Sequence, residues 1–304
     1  MLKKLSNASE MRIYSQITAV ADRYGASVYQ KVRVADVIDI SKLERPQGTY
    51  ALQAHFDFVV ADDSQRPLFA VEFDGPGHSS TNDLRKDEIC RQAGLALFRV
   101  GLQSSRVDAP RLTFVGYLVH LWFLGIAFSE MQQAGKLPPD EPFCISGFLR
   151  PDAKNIFDSE FDLLGPARGK FNAYCKKHGL PRGPLWHLGV AEILLSNDGD
   201  GFAAFASFNT GNARVYGRST LDLKIPSMGA LADLSFARHE IGQFCSTLAL
   251  DDLIEEMKLL AEAGHVVRSR EAVISEFAAM KARGFHPLLG SGSDEDFAAS
   301  WGAR

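Results

Sequence analysis

A chain of 304 residues with 46% apolar and 23% charged side chains has the balance of an ordinary globular protein, long enough for a large core and two domains. Its net charge of −4 excludes a strongly basic nucleic-acid coat, though not a nuclease built on an acidic metal site. Four scattered cysteines (Cys90, Cys144, Cys175, Cys245) form no CxxC pair, which excludes a zinc knuckle and a disulfide framework and suits a reducing compartment.

In chain order, residues 8–24 are predicted to form a helix with Met11, Tyr14, Ile17, Val20 and Ala21 on one face and Gly25 as its stop. Asn7 and Glu10 have the spacing of a capping box. Ser27 to Val34 reads as a strand carrying Tyr29, Lys31 and Arg33 on one face, where the two cations could meet phosphate or solvent. In His55 to Asp74, Phe56, Phe58 and Val60 alternate with His55, Asp57 and Val59. Phe69, Val71 and Phe73 likewise alternate with Ala70, Glu72 and Asp74. This period of two predicts two half-buried strands joined by the polar loop Ala61 to Pro67. Gly75, Pro76 and Gly77 then turn the chain to His78. A helix capped by Thr81 or Asn82 runs to about Gln92, stops at Gly94, and leads into the strand Leu95 to Val100 with Arg99. Strand, helix and strand over this length make a parallel βαβ crossover.

Pro110 is expected to open an apolar helix reaching Gln133. Its longest apolar run, Phe114 to Phe128, is too short to span a bilayer, and MLKKLSNASEMR has no signal-peptide h-region; no membrane association and a cytoplasmic location are expected. Residues 135–142, GKLPPDEP, read as a linker between domains 1–135 and 143–304. In the second half, Arg168, Lys170, Lys176, Lys177 and Arg182 cluster around Phe171 and Tyr174, as a solvated face or a surface on which bases stack. A hairpin is expected around Asn209 to Asn212, then helices over 230–248, 251–263 and 269–283. The run Ser196 to Gly201 lacks most of a calcium loop and reads as a turn. The chain holds no GxxxxGK[ST] P-loop and no GxSxG elbow.

The chemistry concentrates in the central hairpin. If its loop is centred between Ser64 and Gln65, Asp57 lies opposite Glu72, at a separation where like charges repel, and Asp74 follows on the same face. A divalent cation would offset that repulsion. Acids clustered in this way predict that Asp57→Asn leaves the metal-free fold intact or slightly more stable.

Asp57, then Glu72, Asp74 and Gly75, His78, Arg85 to Asp87, and Arg99 resemble in order the PD-(D/E)XK nucleases, most closely uncharacterised bacterial families akin to very-short-patch-repair endonucleases. The resemblance covers roughly residues 8–105. It implies an α/β fold, with an N-terminal restriction-endonuclease-like αβββαβ core and mixed sheet, followed here by a second α+β domain. It also implies an endonuclease that uses Mg²⁺ (or Mn²⁺) to hydrolyse phosphodiester bonds in nucleic acid, DNA foremost, and it admits a homodimer. The implied metal ligands are Asp57, Glu72 and Asp74, with Glu10 joining from the first helix; His78 would serve as acid, base or ligand. One position departs from the pattern: the Lys two residues after the Glu is Asp74 here. In such families a basic residue of the next helix substitutes, which points to Lys86 or Arg85. Loss of Lys86 would then cut cleavage by about two orders of magnitude. The same departure keeps a second reading open, a catalytically inactive nuclease-like module that binds nucleic acid or a protein partner.

Overall fold

The computed structural model describes residues 6–74, 80–109, 112–149, 154, 159–181, 189–197, 201–229, 235–266, 268–288, 295 and 297–299. The chain forms two compact units. The first comprises residues 1–108, 112–143 and 222–234, and the second residues 109–111, 144–221 and 235–304.

The first unit begins with α1 (Ala8–Ala21), whose capping box is complete: Asn7 Oδ1 accepts from the Glu10 N–H, and Glu10 Oε2 accepts from the Asn7 N–H. Its buried stripe is Ile13, Ile17, Val20 and Ala21, so Met11, expected on that face, points outward at 48% exposure. The main elements that follow are β1 (Ser27–Arg33), β2 (His55–Ala61), β3 (Pro67–Asp74), α2 (Ser80–Ala93) and β4 (Ala96–Gly101), with short helices over Val34–Val37 and Arg45–Ala51 between β1 and β2. β1 with β2 and β2 with β3 are antiparallel, and β3 with β4 is parallel, which gives the expected αβββαβ order and mixed sheet. A fifth strand, Leu223–Ser227, returns from far along the sequence to pair antiparallel with β4.

Period-two alternation predicted strands with one wet face, and here the structure differs. Val59, Ala70 and Leu97 pack with Val34, Ile89 and Cys90 on one side of the sheet. On the other side, Phe69 and Phe98 line the same seam as Val115 and Leu118 of α3 (Phe114–Gln133), and the Phe69 and Trp122 rings lie 4.8 Å apart. Helices cover both faces, so the alternation does not mark which residues are wet. Each large apolar side chain fully buried on these seams contributes roughly 1.5–3 kcal/mol. α3 starts at a Thr113 cap, with Pro110 outside the described residues. It is the one described helix apolar and long enough to cross a membrane, and 61% of its most apolar window is buried inside the fold.

In the second unit, a four-stranded antiparallel sheet orders His286–Pro287, Ala191–Asn197, Gly201–Asn209 and Arg214–Leu221. The expected hairpin is present, with Asn209 opposite Arg214 and Asn209 Oδ1 accepting from the Gly211 N–H. Asp198 to Asp200 of the supposed calcium-like run lie outside the described residues. The two helices expected over 230–248 and 251–263 are one, Ser235–Ala263. Neither Gly nor Pro interrupts residues 249–251, and Gly217 lets its strand lie directly on this stretch. A Cβ at Gly217 would collide with the Ala249 carbonyl.

Glu192, opposite Ala206 in this sheet, is pushed up to about 7 by burial, against which Arg168 acts. An unfolded Glu titrates near 4.3. Between those values the folded chain holds a proton that the unfolded chain has lost, so stability falls as pH rises through the window and stays reduced above it. Glu192→Gln should remove that dependence. It should stabilise the protein by about 2 kcal/mol at pH 8 and little at pH 4.5, after discounting for partial exposure. Urea titrations at the two pH values read the difference, and an unchanged slope in the Gln variant would place the proton elsewhere.

Candidate active site

The last regular pair between β2 and β3 is Phe58 with Val71, so Asp57 and Glu72 occupy the next opposed positions, as the centred hairpin predicted. There the ladder passes to side chains. The Asp57 N–H donates to Glu72 Oε1 at 3.3 Å, and the Phe73 N–H donates to Asp57 Oδ2 at 3.0 Å. Each carboxylate is thereby fixed by the backbone of the other's strand, and both belong to one end of the sheet.

Glu72 is 3% exposed, far from the solvated position expected of an exposed sheet face, because α2 covers it. Burial pushes its carboxyl up; Lys86 opposes that shift and Asp57 adds to it. Lys86, itself buried, gives Nζ to Glu72 Oε2 at 2.7 Å and to the His55 carbonyl at 2.8 Å, over the Phe56 ring. Arg85 is exposed where Lys86 is buried, so the structure distinguishes the two basic residues between which the sequence left the choice.

Arg99 lies level with Glu72 in the parallel register of β3 and β4 and is 2% exposed. Its guanidinium meets Asp87 Oδ1 at 2.7 Å, Asp83 Oδ1 at 3.1 Å, Asp74 Oδ1 at 3.4 Å and Glu72 Oε2 at 3.9 Å. Burial pulls its pKa down, yet Asp87, Glu72 and Asp74 together carry it above the ordinary value. The geometry thus pairs Arg99 with acids. Asp87 accordingly turns to Arg99 and not to Lys86. Burial raises the Asp87 carboxyl, with Arg99 opposing. The spacing of 83, 86 and 87 along one helix face holds, with the two aspartates on Arg99 and the lysine on Glu72.

Lys31 closes the arrangement from β1. Its Nζ lies 2.7 Å from Asp57 Oδ1 and 2.9 Å from Glu10 Oε1. Burial lowers its pKa, but hydrogen bonds to Asp57 and Glu10 raise it overall. Glu10 therefore does both things its position suggested: one oxygen caps α1 and the other faces the site. Tyr50, which sequence reasoning passed over, donates its hydroxyl to the Asn82 carbonyl at 2.9 Å and ties down the start of α2. Burial pushes that phenol up to about 12, and Glu72 adds to the shift. His78 lies outside the described residues.

The acids therefore do not stand unopposed, as the clustering suggested. Glu10, Asp57, Glu72, Asp74, Asp83 and Asp87 meet Lys31, Lys86 and Arg99, a formal excess of three negative charges. Among the described residues, no three His, Cys, Asp or Glu side chains already converge as a metal cage. The donor chemistry nonetheless suits a hard divalent ion, since the candidate ligands among the described residues, Glu10, Asp57, Glu72 and Asp74, all offer carboxylate oxygens. At Glu10 and Asp57 the opposing charge is the Lys31 ammonium. In the second unit the basic cluster loses its stacking surface. Phe171 is buried against Phe208, Tyr174 donates to the Met257 carbonyl, and Lys170 pairs with Asp251; Arg182 is outside the described residues.

Residues 2–111 match a family model described as Protein of unknown function (DUF2726), a span that holds every acid and cation named at this site. No curated protein and no solved structure matches the chain.

Proposed function

We propose that the protein is a Mg²⁺-dependent endonuclease that hydrolyses phosphodiester bonds, in DNA before RNA, and acts in the cytoplasm. One observation carries this reading: the opposed Asp57 and Glu72 are joined at the sheet's end by a buried lysine from the following helix, Lys86, 2.7 Å from Glu72. An acid pair with a lysine from the following helix resembles the displaced-lysine form of the PD-(D/E)XK pattern, and that resemblance supports the reading.

Asp57, Glu72 and Asp74 would hold the ion, with Glu10 beside them. Bound there, Mg²⁺ polarises phosphoryl oxygens and lowers the pKa of a coordinated water. Lys86 opposes the rise that burial imposes on the Glu72 carboxyl and holds its Oε2 by a hydrogen bond. Arg99 anchors Asp74 and fixes α2 through Asp83 and Asp87. The excess negative charge repels a bare phosphate backbone, so affinity for nucleic acid at the site should depend on the divalent ion. The second unit would supply target choice or regulation.

A second reading, the inactive nuclease-like module, draws support from the absence of a ready three-ligand set among the described residues. Labelled single-stranded, double-stranded and branched DNA and RNA, incubated with Mg²⁺ or with EDTA, separate the two. The nuclease cleaves at least one substrate with Mg²⁺ and none with EDTA. Retention without cleavage under both conditions would leave the inactive module.

A further inference from the structure

Lys31 is the least ordinary residue of this site. Its φ is +54°, in the left-handed region, although β1 pairs with β2 in one register on both sides of it, Gln30 with Phe58 and Val32 with Phe56. A side chain other than Gly is strained there, and among the described residues the other such case, Gln65, sits in a hairpin loop, where positive φ is common. Strain in mid-strand persists only when surroundings hold it. Here the holding contacts are Asp57 Oδ1 at 2.7 Å and Glu10 Oε1 at 2.9 Å. The neighbours on the same face have other partners: Tyr29 reaches Gln65, and Arg33 pairs with Asp36. Only Lys31 turns into the acids.

The two lysines of the site also differ in freedom. The Lys86 side chain is 9% exposed, whereas that of Lys31 is 42% exposed. Lys31 has solvent to move into, and ion pairs this open are weak.

The geometry points to Lys31 as an exchangeable internal counter-ion: its ammonium occupies the position between Glu10 and Asp57 in the metal-free protein, and a divalent cation must displace it to bind. This rests on the proposed metal site and adds what holds that site before the ion arrives. The ammonium brings one positive charge to two carboxylates and the divalent ion brings two, so exchange favours the ion once its concentration suffices. Displacement returns the strained segment to an ordinary strand and frees a cation beside the site.

The test is Mn²⁺ binding by calorimetry without nucleic acid, so that it does not depend on cleavage. Lys31→Met should bind Mn²⁺ about tenfold more tightly than the parent, since two open ion pairs no longer compete. Lys31→Gly should do the same and is the safer variant to fold, because glycine adopts φ +54° without strain. Arg33→Gln removes the same charge from the next position on that face without vacating the carboxylates, and should change affinity by about twofold or less. An equal gain in Arg33→Gln would make the effect one of general field and overturn the exchange. Unchanged affinity in both Lys31 variants, with lowered thermal stability, would make Lys31 a structural tie between α1 and the sheet; the nuclease reading would survive. No Mn²⁺ binding in any of them, Lys31→Gly included, would remove the metal site and with it both the exchange and the nuclease reading.

Discussion

Asp57→Asn is expected to abolish Mg²⁺-dependent cleavage, a loss of about three orders of magnitude, while the protein remains folded. The amide keeps the shape of the carboxylate, and its oxygen still accepts from the Phe73 N–H. What disappears is the charge that meets Lys31 and that would hold the ion. For the fold, two effects oppose each other. The Lys31 pair is lost, though its ammonium keeps Glu10, and the repulsion that Asp57 exerts on buried Glu72 is relieved. Neither is large at a partly exposed position, so the net change should stay within about 1 kcal/mol of zero. The clustering of acids alone predicted a neutral or stabilising change; the ion pair with Lys31 offsets the gain from relieved repulsion. Single-turnover cleavage and a thermal melt read the two quantities. Cleavage that survives would take Asp57 out of the metal set, and a protein that fails to fold would make the contacts with Phe73 and Lys31 the main role of this residue.

Much of this site was legible because hairpin register is a local property. A turn centred between Ser64 and Gln65 gives the register of Val60 with Phe69 through Phe58 with Val71, which puts Asp57 opposite Glu72; a register shift between Val60 and Ala61 separates that ladder from the loop. Helical spacing likewise put Asp83, Lys86 and Asp87 on one face. The environment of those residues was not legible. Nothing in the alternation of β3 says that α2 lies over Glu72, so a carboxylate that looked solvated is in fact buried. The choice between Arg85 and Lys86 depended on the same packing. Lys31 was visible only as a cation on a strand face; its positive φ leaves no trace in residue type, since Gly is the residue expected there. The fifth strand, Leu223–Ser227, joins β4 across more than a hundred residues, and no periodicity encodes so distant a partner. In the second half, a basic run with interleaved aromatics resembled a stacking surface because Phe171 and Tyr174 recur at helical spacing, which a buried helix face produces equally well.

The buried pair of Glu72 and Lys86 leads to the largest stability effect. Their side chains are 3% and 9% exposed, so neither charge is well solvated and each depends on the other. Lys86→Met removes the ammonium from Glu72 Oε2 and from the His55 carbonyl together. The remaining carboxylate keeps the Asp57 N–H at 3.3 Å and, as its one cation, Arg99 at 3.9 Å, a guanidinium already engaged by Asp83 and Asp87. Breaking a buried pair from one side typically costs 3–5 kcal/mol, and a loss of about that size is expected. Glu72→Gln in the same chain removes the uncompensated charge, so the double variant should recover about 2 kcal/mol or more of the single variant's loss. Urea unfolding of the parent, both single variants and the double variant closes the cycle. If the two changes are additive, Lys86 does not support Glu72, and its burial serves packing alone. The cycle also protects the cleavage experiment from a false conclusion. Lys86→Met would lose activity through unfolding whether or not its ammonium aids the reaction. The double variant should fold, lacks a carboxylate at the proposed metal site, and should not cleave. Lys86→Arg keeps a cation near Glu72, and its rate, measured on folded protein, separates an ammonium that steadies Glu72 from one that meets the phosphate. A rate close to the parent's would assign Lys86 the first task and leave the second to the exposed Lys31.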